Sequence, residues 1–267
     1  MFSLNDDGAP CPDVYGAFCY QTLWEIVKND VYKPVLKFFQ SRRMMPNFNA
    51  NTLVLILKIP NADSMEHHRP IAMALVKYKI IPKVLADILA SIISNLFWKE
   101  QRGFVEDTKL RDCVCLTLDV INLLQNKAYG GNITLKIDIS KAFDTLEWSF
   151  LLRVLKRFGF NPTFYNWIDS ILNSIFLSAS INRRQQGCFN CKRRVGQRDP
   201  LSPLIFCLVE EVLSIRIPKL VINGKLNHIK ASGNINVHSR TLYANDIMFF
   251  CRGNINGLIN LKQLLYI

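Results

Sequence analysis

Apolar residues recur along this chain at helical spacing in some stretches and in alternation in others, and the switches between the two periods mark its elements. From Gln21 to Phe39, the residues Leu23, Ile26, Val27, Val31, Val35, Leu36 and Phe39 predict a helix that Pro34 should kink or split. Ahead of it, Asp6, Asp7, Gly8, Pro10, Pro12 and Gly16 predict a loop over 1–18. Thr52 to Ile59 is an apolar run stopped by Pro60, which predicts a strand and a turn. Helices follow over Val76 to Phe97 and Leu110 to Gln125. Tyr129-Gly-Gly-Asn132 then breaks the helical period, and a strand begins at Ile133 and runs to Ile139. Further helices are predicted over Glu147 to Phe158 and Pro162 to Ser174. A hairpin over 176–195 comes next, with strands at Ser178 to Asn182 and Lys192 to Val195, followed by a helix after Pro203. Thr241 to Cys251 reads as a second hairpin, its two short apolar runs flanking Ala244-Asn245-Asp246. Mixed strands and helices of this kind make an α+β chain.

The strand from Ile133 carries the most information. Ile133, Leu135 and Ile137 share one face, while Thr134, Lys136 and Asp138 share the other. Asp138 therefore projects away from the apolar stripe of a half-buried strand.

Charge narrows the partners. Among 267 residues, 33 Lys and Arg stand against 21 Asp and Glu, a net charge of +12, which points to a polyanion: nucleic acid or an acidic membrane surface. The start of the chain (Asn5, Asp6, Asp7) is too polar for a signal peptide, so no secretion is expected. The stretch from Ile80 to Phe97 is interrupted by Lys83 and Asp87 and reads as a packed helix, not a bilayer span. The eight cysteines are then expected to be reduced thiols of a nuclear or cytoplasmic protein. Cys188-Phe-Asn-Cys191 has zinc-ligand spacing but no second pair nearby, and His67-His68 lies in a polar stretch; neither is read as a metal site.

Two distant aspartates make a better candidate. Nucleotidyl transfer is served by two divalent cations about 3.5–4 Å apart, and magnesium takes hard oxygen ligands. A strand ending in Asp138 beside a hairpin tip carrying Asp246 would bring two carboxylates together. Either aspartate alone is also what a solvated turn commonly holds.

The neighbouring residues form an ordered set. Leu135-Lys-Ile-Asp-Ile-Ser-Lys-Ala-Phe-Asp144, followed by Glu147-Trp148, resembles the first palm motif of LINE-type (non-LTR) retrotransposon reverse transcriptases, especially those of plants. Asp199-Pro-Leu-Ser-Pro203 after Gln197 is similar to the second palm motif, and Tyr243-Ala-Asn-Asp246 to the Tyr/Phe-Ala-Asp-Asp hairpin. Upstream, Arg69-Pro-Ile-Ala72, Tyr78-Lys-Ile80 and Gln101-Arg-Gly-Phe-Val105 resemble the fingers motifs, in family order.

The resemblance implies roles. Asp138 is the first-motif metal ligand, and Asn245 and Asp246 occupy the paired-aspartate positions, with Asp138 and Asp246 as metal-binding carboxylates for Mg2+. Phe143 lies under the incoming sugar, Gln197 and Arg198 contact the nucleotide, and Arg69 and Lys79 lie near the triphosphate. Arg183, Arg184, Lys192, Arg193 and Arg194, around the predicted first hairpin, face template and primer. The bland alternatives are a core aromatic for Phe143 and solvated surface charges for the basic residues.

The pattern also departs from the family's. Asn245 stands where the family has an aspartate, and Val195-Gly-Gln-Arg-Asp-Pro200 exchanges Arg and Gly around Gln197. Arg198 thus falls where the family has glycine. The implied architecture is an α+β right-hand polymerase with fingers and palm and no thumb, since the chain stops at Ile267. Its blocks are a lead-in over 1–48, fingers over 49–130 and an incomplete palm over 131–267. The implied partners are an RNA template, a DNA primer and deoxynucleoside triphosphates, with no membrane. The implied function is RNA-templated DNA synthesis, impaired by Asn245 and truncation. The alternatives are a catalytically inactive nucleic-acid-binding remnant and a basic structural or membrane-surface protein.

Overall fold

A computed structural model of the chain describes residues 1–4, 13, 15–61, 63–96, 110–124, 131–139, 145–182, 184–193, 199–229, 240–243 and 246–265. In chain order the elements are α1 (Ala17–Thr22), α2 (Trp24–Ser41), β1 (Ala50–Leu57), a 3-10 turn (Met65–His67), β2 (His68–Met73), α3 (Val76–Leu96) and α4 (Leu110–Leu123). Then come β3 (Asn132–Asp138), α5 (Trp148–Arg157), α6 (Pro162–Asn173), β4 (Phe176–Ile181), β5 (Arg184–Asn190), α7 (Ser202–Ile222), β6 (Arg240–Tyr243), β7 (Asp246–Arg252) and α8 (Ile255–Leu265). The chain divides into two compact units, Met1–Asp87 with Phe143–Ser202, and Ile88–Ala142 with Pro203–Ile267.

The first unit is organised by a four-stranded sheet in the order β2-β1-β4-β5. Strand β1 pairs antiparallel with β2 (Ile56 opposite Arg69) and parallel with β4 (Ala50 opposite Phe176). Helices α5 and α6 each bury one stripe, Leu151, Val154 and Leu155 on the first and Phe164, Ile168, Ile171 and Leu172 on the second. Gly159, at φ 80, ends the first of these helices in the left-handed conformation that other residues resist. Asn161 caps the next, accepting from the Thr163 N–H at 2.8 Å, with Pro162 in the first turn. The loop expected over 1–18 gives way at Ala17 to α1. Ala17 packs on Val76 beside Met1, Leu4 and Tyr20, and the Gln21 amide donates to the Leu4 carbonyl at 3.2 Å. Pro34 does not split α2, which runs unbroken from Trp24 to Ser41.

The first hairpin turns earlier than its sequence pattern indicates. Strand β5 occupies Arg184–Asn190, so Cys188 lies on a strand and not in the turn. Asn182, at φ 50, is in the left-handed region, and Ile181 already pairs with Arg184. A bulge interrupts the pairing between Leu177 and Ala179, where Gly187 takes φ 67 and two residues oppose Ser178. Polar and interrupted by Gly187, the stretch from Arg184 to Cys188 offers no apolar alternation, and β5 is therefore not legible from the sequence. Arg193 pairs in isolation with Glu147.

The second unit is built on the antiparallel sheet β3-β7-β6. As the alternation predicts, Ile133, Leu135 and Ile137 face a core formed by Ile217, Leu226, Ile247, Phe249, Cys251 and Leu261. The far end of the opposite face is covered too: Phe250 lies with Val120 of α4 and Ile229, with Met248 beside them. Along helix α3, Ile81, Leu85, Leu89 and Ile93 form a fully buried stripe at helical spacing. Lys83 and Asp87, which interrupt its apolar run, pair on the exposed side at 2.8 Å. No helix among the described residues is long and apolar enough to cross a membrane.

The packing predicts a sharp contrast. Phe249, 1% exposed, should lose about 3–5 kcal/mol of unfolding free energy on replacement by alanine. Ile56→Ser on β1, at a position 46% exposed, should change stability by less than about 1 kcal/mol. Denaturant melts of the two variants check this.

Candidate active site

Strand β3 ends at Asp138 and β7 begins at Asp246, and the antiparallel register sets these two residues directly opposite one another. The same register places Lys136 opposite Met248 and Thr134 opposite Phe250, all on the face turned away from the apolar core of the sheet. Directly opposed residues project from the same face with Cβ atoms about 4.5–5.5 Å apart. The two carboxylates sequence reasoning picked out thus share one face at one end of the sheet, with Asp138 exposed and Asp246 half-exposed.

A cation lies against Asp246. The Lys136 ammonium is 3.0 Å from Asp246 Oδ1, a diagonal pair across the two strands. Sequence reasoning placed Lys136 on the face of Asp138 but assigned it no role. Its signal was the two-residue period itself, which carries any residue at 136 to the side of 138.

The donor set fits a divalent cation that prefers hard oxygens. It supplies two carboxylates on one accessible face, where a positive charge already sits. Magnesium is commonly held by one or two carboxylates, with waters and substrate phosphates completing its shell. Among the described residues no group of three His, Cys, Asp or Glu gathers as a metal cage. Asn245 lies outside the described residues, as do Phe143, Gln197, Arg198, Arg183 and Arg194.

The remaining candidates lie in the first unit. Arg69 is exposed on β2, which the sequence pattern did not single out as a strand. Arg184, Lys192 and Arg193 are exposed on and just after β5. Lys79 is half-buried on α3 and its charge acts on Asp199 of the second palm motif. Cys188 is exposed, while His67 pairs with Asp63 at 2.9 Å and His68 meets the Ser64 carbonyl at 2.9 Å.

Sequence reasoning placed Asp199 in the second palm motif but assigned it no role. Its Oδ1 accepts from the Leu201 N–H at 2.9 Å, and the buried Tyr78 hydroxyl donates to its Oδ2 at 3.5 Å. Burial pushes the Asp199 carboxyl up to about 7, against the opposing pull of the Leu201 N–H, Tyr78 and the Lys79 charge. Burial and the Asp199 charge in turn hold the Tyr78 phenol well above its ordinary range. Tyr78 also interacts with Asn49, whose amide donates to the Ile171 carbonyl at 3.1 Å and the Ser174 hydroxyl at 2.9 Å. These residues lie up to 125 positions apart in the chain, so no local pattern could announce the network. In the second unit, burial and the adjoining Glu210 and Glu211 push the Cys207 thiol up, and burial pushes Cys251 up to about 11.

Two carboxylates opposed on one face of a β-sheet, in an α+β chain, are the arrangement that the resemblance to polymerases implies. The chain belongs to the reverse transcriptase (RNA-dependent DNA polymerase) family, whose sequence profile matches residues 59–266. It is 22% identical over 192 residues to the transposon TX1 uncharacterized 149 kDa protein of Xenopus laevis, which covers 72% of this chain. It is 26% identical over 213 residues to the Pol polyprotein of the type-2 retrotransposable element R2DM of Drosophila melanogaster, covering 79% of this chain. These relatives bear out the resemblance to LINE-type reverse transcriptases. The chain spans 15% and 19% of their lengths. Among solved structures, apo telomerase from Candida tropicalis, truncated from its C-terminal domain, shares the fold with a TM-score of 0.55 at 12% identity. That match covers 92% of this chain and 52% of the telomerase.

Asp199 generates a pH prediction. Its carboxyl is raised to about 7 from an ordinary value of 3.8, so between those values the folded chain holds a proton that the unfolded chain has lost. This contribution to stability is full below the lower value and disappears as pH rises through the upper one. Asp199→Asn keeps an acceptor for Leu201 and removes the titration. Thermal melts should show wild type losing about 1–3 kcal/mol relative to this variant between pH 5 and 8. A difference that does not vary with pH would contradict the assignment.

Proposed function

We propose that this chain is the catalytic-core portion of an RNA-directed DNA polymerase of a LINE-type retroelement, and that Asn245 weakens its chemistry. The observation that carries this reading is the opposition of Asp138 and Asp246 at the open end of the β3–β7 pair, in a chain of the reverse transcriptase family. Finger and palm labels follow the family order of motifs, with fingers over 49–130 and palm over 131–267. The partners are an RNA template, a DNA primer and deoxynucleoside triphosphates, in a nuclear or cytoplasmic setting.

In this reading Asp138 and Asp246 hold Mg2+, which when bound activates the attacking hydroxyl and neutralises the leaving group. The rest is positioning by the chain's own residues. Arg69 and Lys79 hold the triphosphate, Phe143 packs against the sugar, and Gln197 and Arg198 contact the nucleotide. Arg183, Arg184, Lys192, Arg193 and Arg194 neutralise phosphates of template and primer.

The position of Asn245 follows from charge. An amide offers the metal a carbonyl oxygen but no negative charge. A unit charge pair at about 4 Å contributes ~4 kcal/mol at an effective dielectric near 20, and each ~1.4 kcal/mol is tenfold in rate. Removing the charge should therefore slow extension on the order of a thousandfold. The same residue favours a second reading, a nucleic-acid-binding remnant without polymerase activity.

Primer extension on an RNA template separates the two. Asn245→Asp should raise the rate by about two to three orders of magnitude over the natural chain if the polymerase reading holds. Equal rates for the two proteins would sink the claim of impairment, and no extension by either would leave the remnant. Binding to primer–template should be steeply salt-dependent, and the double substitution of Arg184 and Arg193 by alanine should shallow the log–log slope by about 2. An unchanged slope would remove these residues from the nucleic-acid surface.

A further inference from the structure

Resting on the metal-centre reading above, we propose that Lys136 is the resident counter-ion of the Asp138–Asp246 pair, which a divalent cation must displace in order to bind. The ammonium and the metal compete for one carboxylate oxygen, so this lysine sets the affinity of the centre.

Three observations lead there. First, like charges directly opposite one another in an antiparallel pair destabilise it, and Asp138 and Asp246 are so opposed. A local positive charge at this point relieves that repulsion. Second, Lys136 supplies it from two residues away on the same strand face, with its Nζ 3.0 Å from Asp246 Oδ1. The residue directly opposite Lys136 is Met248, which carries no charge, so the diagonal aspartate is the carboxylate the lysine meets. Third, the side chains of Lys136 and Asp246 are 63% and 47% exposed. A pair so open to water is weak and yields readily to a cation of higher charge.

A lysine that merely decorated the surface would leave metal affinity untouched, and one that recruited metal through another group would weaken it on removal. A counter-ion has the opposite sign. Replacing Lys136 by glutamine should tighten Mn2+ binding about two- to fivefold. It should also lower the melting temperature in chelator, where Asp246 has lost its Lys136 partner, and enlarge the rise in melting temperature on adding Mg2+. Lys136→Arg, which keeps the charge, should bind Mn2+ as wild type does.

The experiment is a titration of the full chain with Mn2+, read by the electron paramagnetic resonance of the free ion. Wild type, Lys136→Gln, Lys136→Arg, Asp138→Asn and Asp246→Asn are compared, with melting temperatures in chelator and in Mg2+. Tighter binding by the glutamine variant alone supports the proposal. Mn2+ binding that is lost in both asparagine variants but unchanged or weakened in Lys136→Gln overturns the lysine's role and leaves the metal centre standing. Binding by wild type no different from that of either asparagine variant overturns the metal centre itself, and the counter-ion with it.

Discussion

The backbone register between β3 and β7 is the constraint on which the second unit depends. Side chains alternate along a strand with a period of two, so a single choice of pairing decides both what is buried and what is presented. With Ile137 opposite Ile247 and Leu135 opposite Phe249, the apolar residues of both strands meet the core formed with Ile217, Leu226 and Leu261. The same choice sets Asp138 against Asp246 on the other side. A slip of one residue would carry the apolar set into water and the carboxylates toward the core. Hydrophobic burial, which has no chemical interest in aspartate, thereby fixes where the two acids stand.

The opposite face of that sheet divides its work along its length. Phe250 and Met248 lie with Val120 and Ile229, so this end is closed by α4. Toward Asp138 and Asp246 the face opens, and Lys136 stands between the apolar and acidic ends. A dry segment thus anchors the strands within a few residues of an accessible one. The first unit has a different arrangement of polar groups, with Asn49, Tyr78 and Asp199 drawn inward and satisfied by one another and by backbone donors. Such a network specifies its own geometry, because each member left unpaired would carry a desolvation cost.

Most of this fold was legible where burial follows a simple period. The alternation of Ile133, Leu135 and Ile137 announced β3 and the orientation of Asp138, and helical spacing announced α2, α3, α5 and α6. Legibility failed where the determinants are not periodic. Strand β5 is polar and bulged at Gly187, so its pattern resembles a turn. Strand β2 begins His68-Arg69-Pro70 and owes its existence to pairing with β1. Helix α8 is short, and its burial through Leu261 comes from a core contributed by other elements. At the site, the aspartates could be named from ordered motifs, and Lys136 could be placed but not assigned a role, since only the cross-strand diagonal reveals its partner. The environment of Asp199 was invisible, because Tyr78 and Asn49 come to it from distant stretches of chain.

The pairing of β1 with β4 has a consequence for how the chain acquires its shape. Ala50 must wait for Phe176, and the two paired strands are separated in sequence by the Ile88–Ala142 segment of the second unit among other stretches. Contacts of such wide separation impose a large loop-closure entropy and form late. As a ribosome extends the chain, β1 therefore emerges with only β2 available as a neighbour, and its edge at Ala50 to Leu53 stays open until more than a hundred further residues have been made. That interval is when the nascent protein is most prone to associate with other strands, and the time taken to complete translation governs how long it lasts.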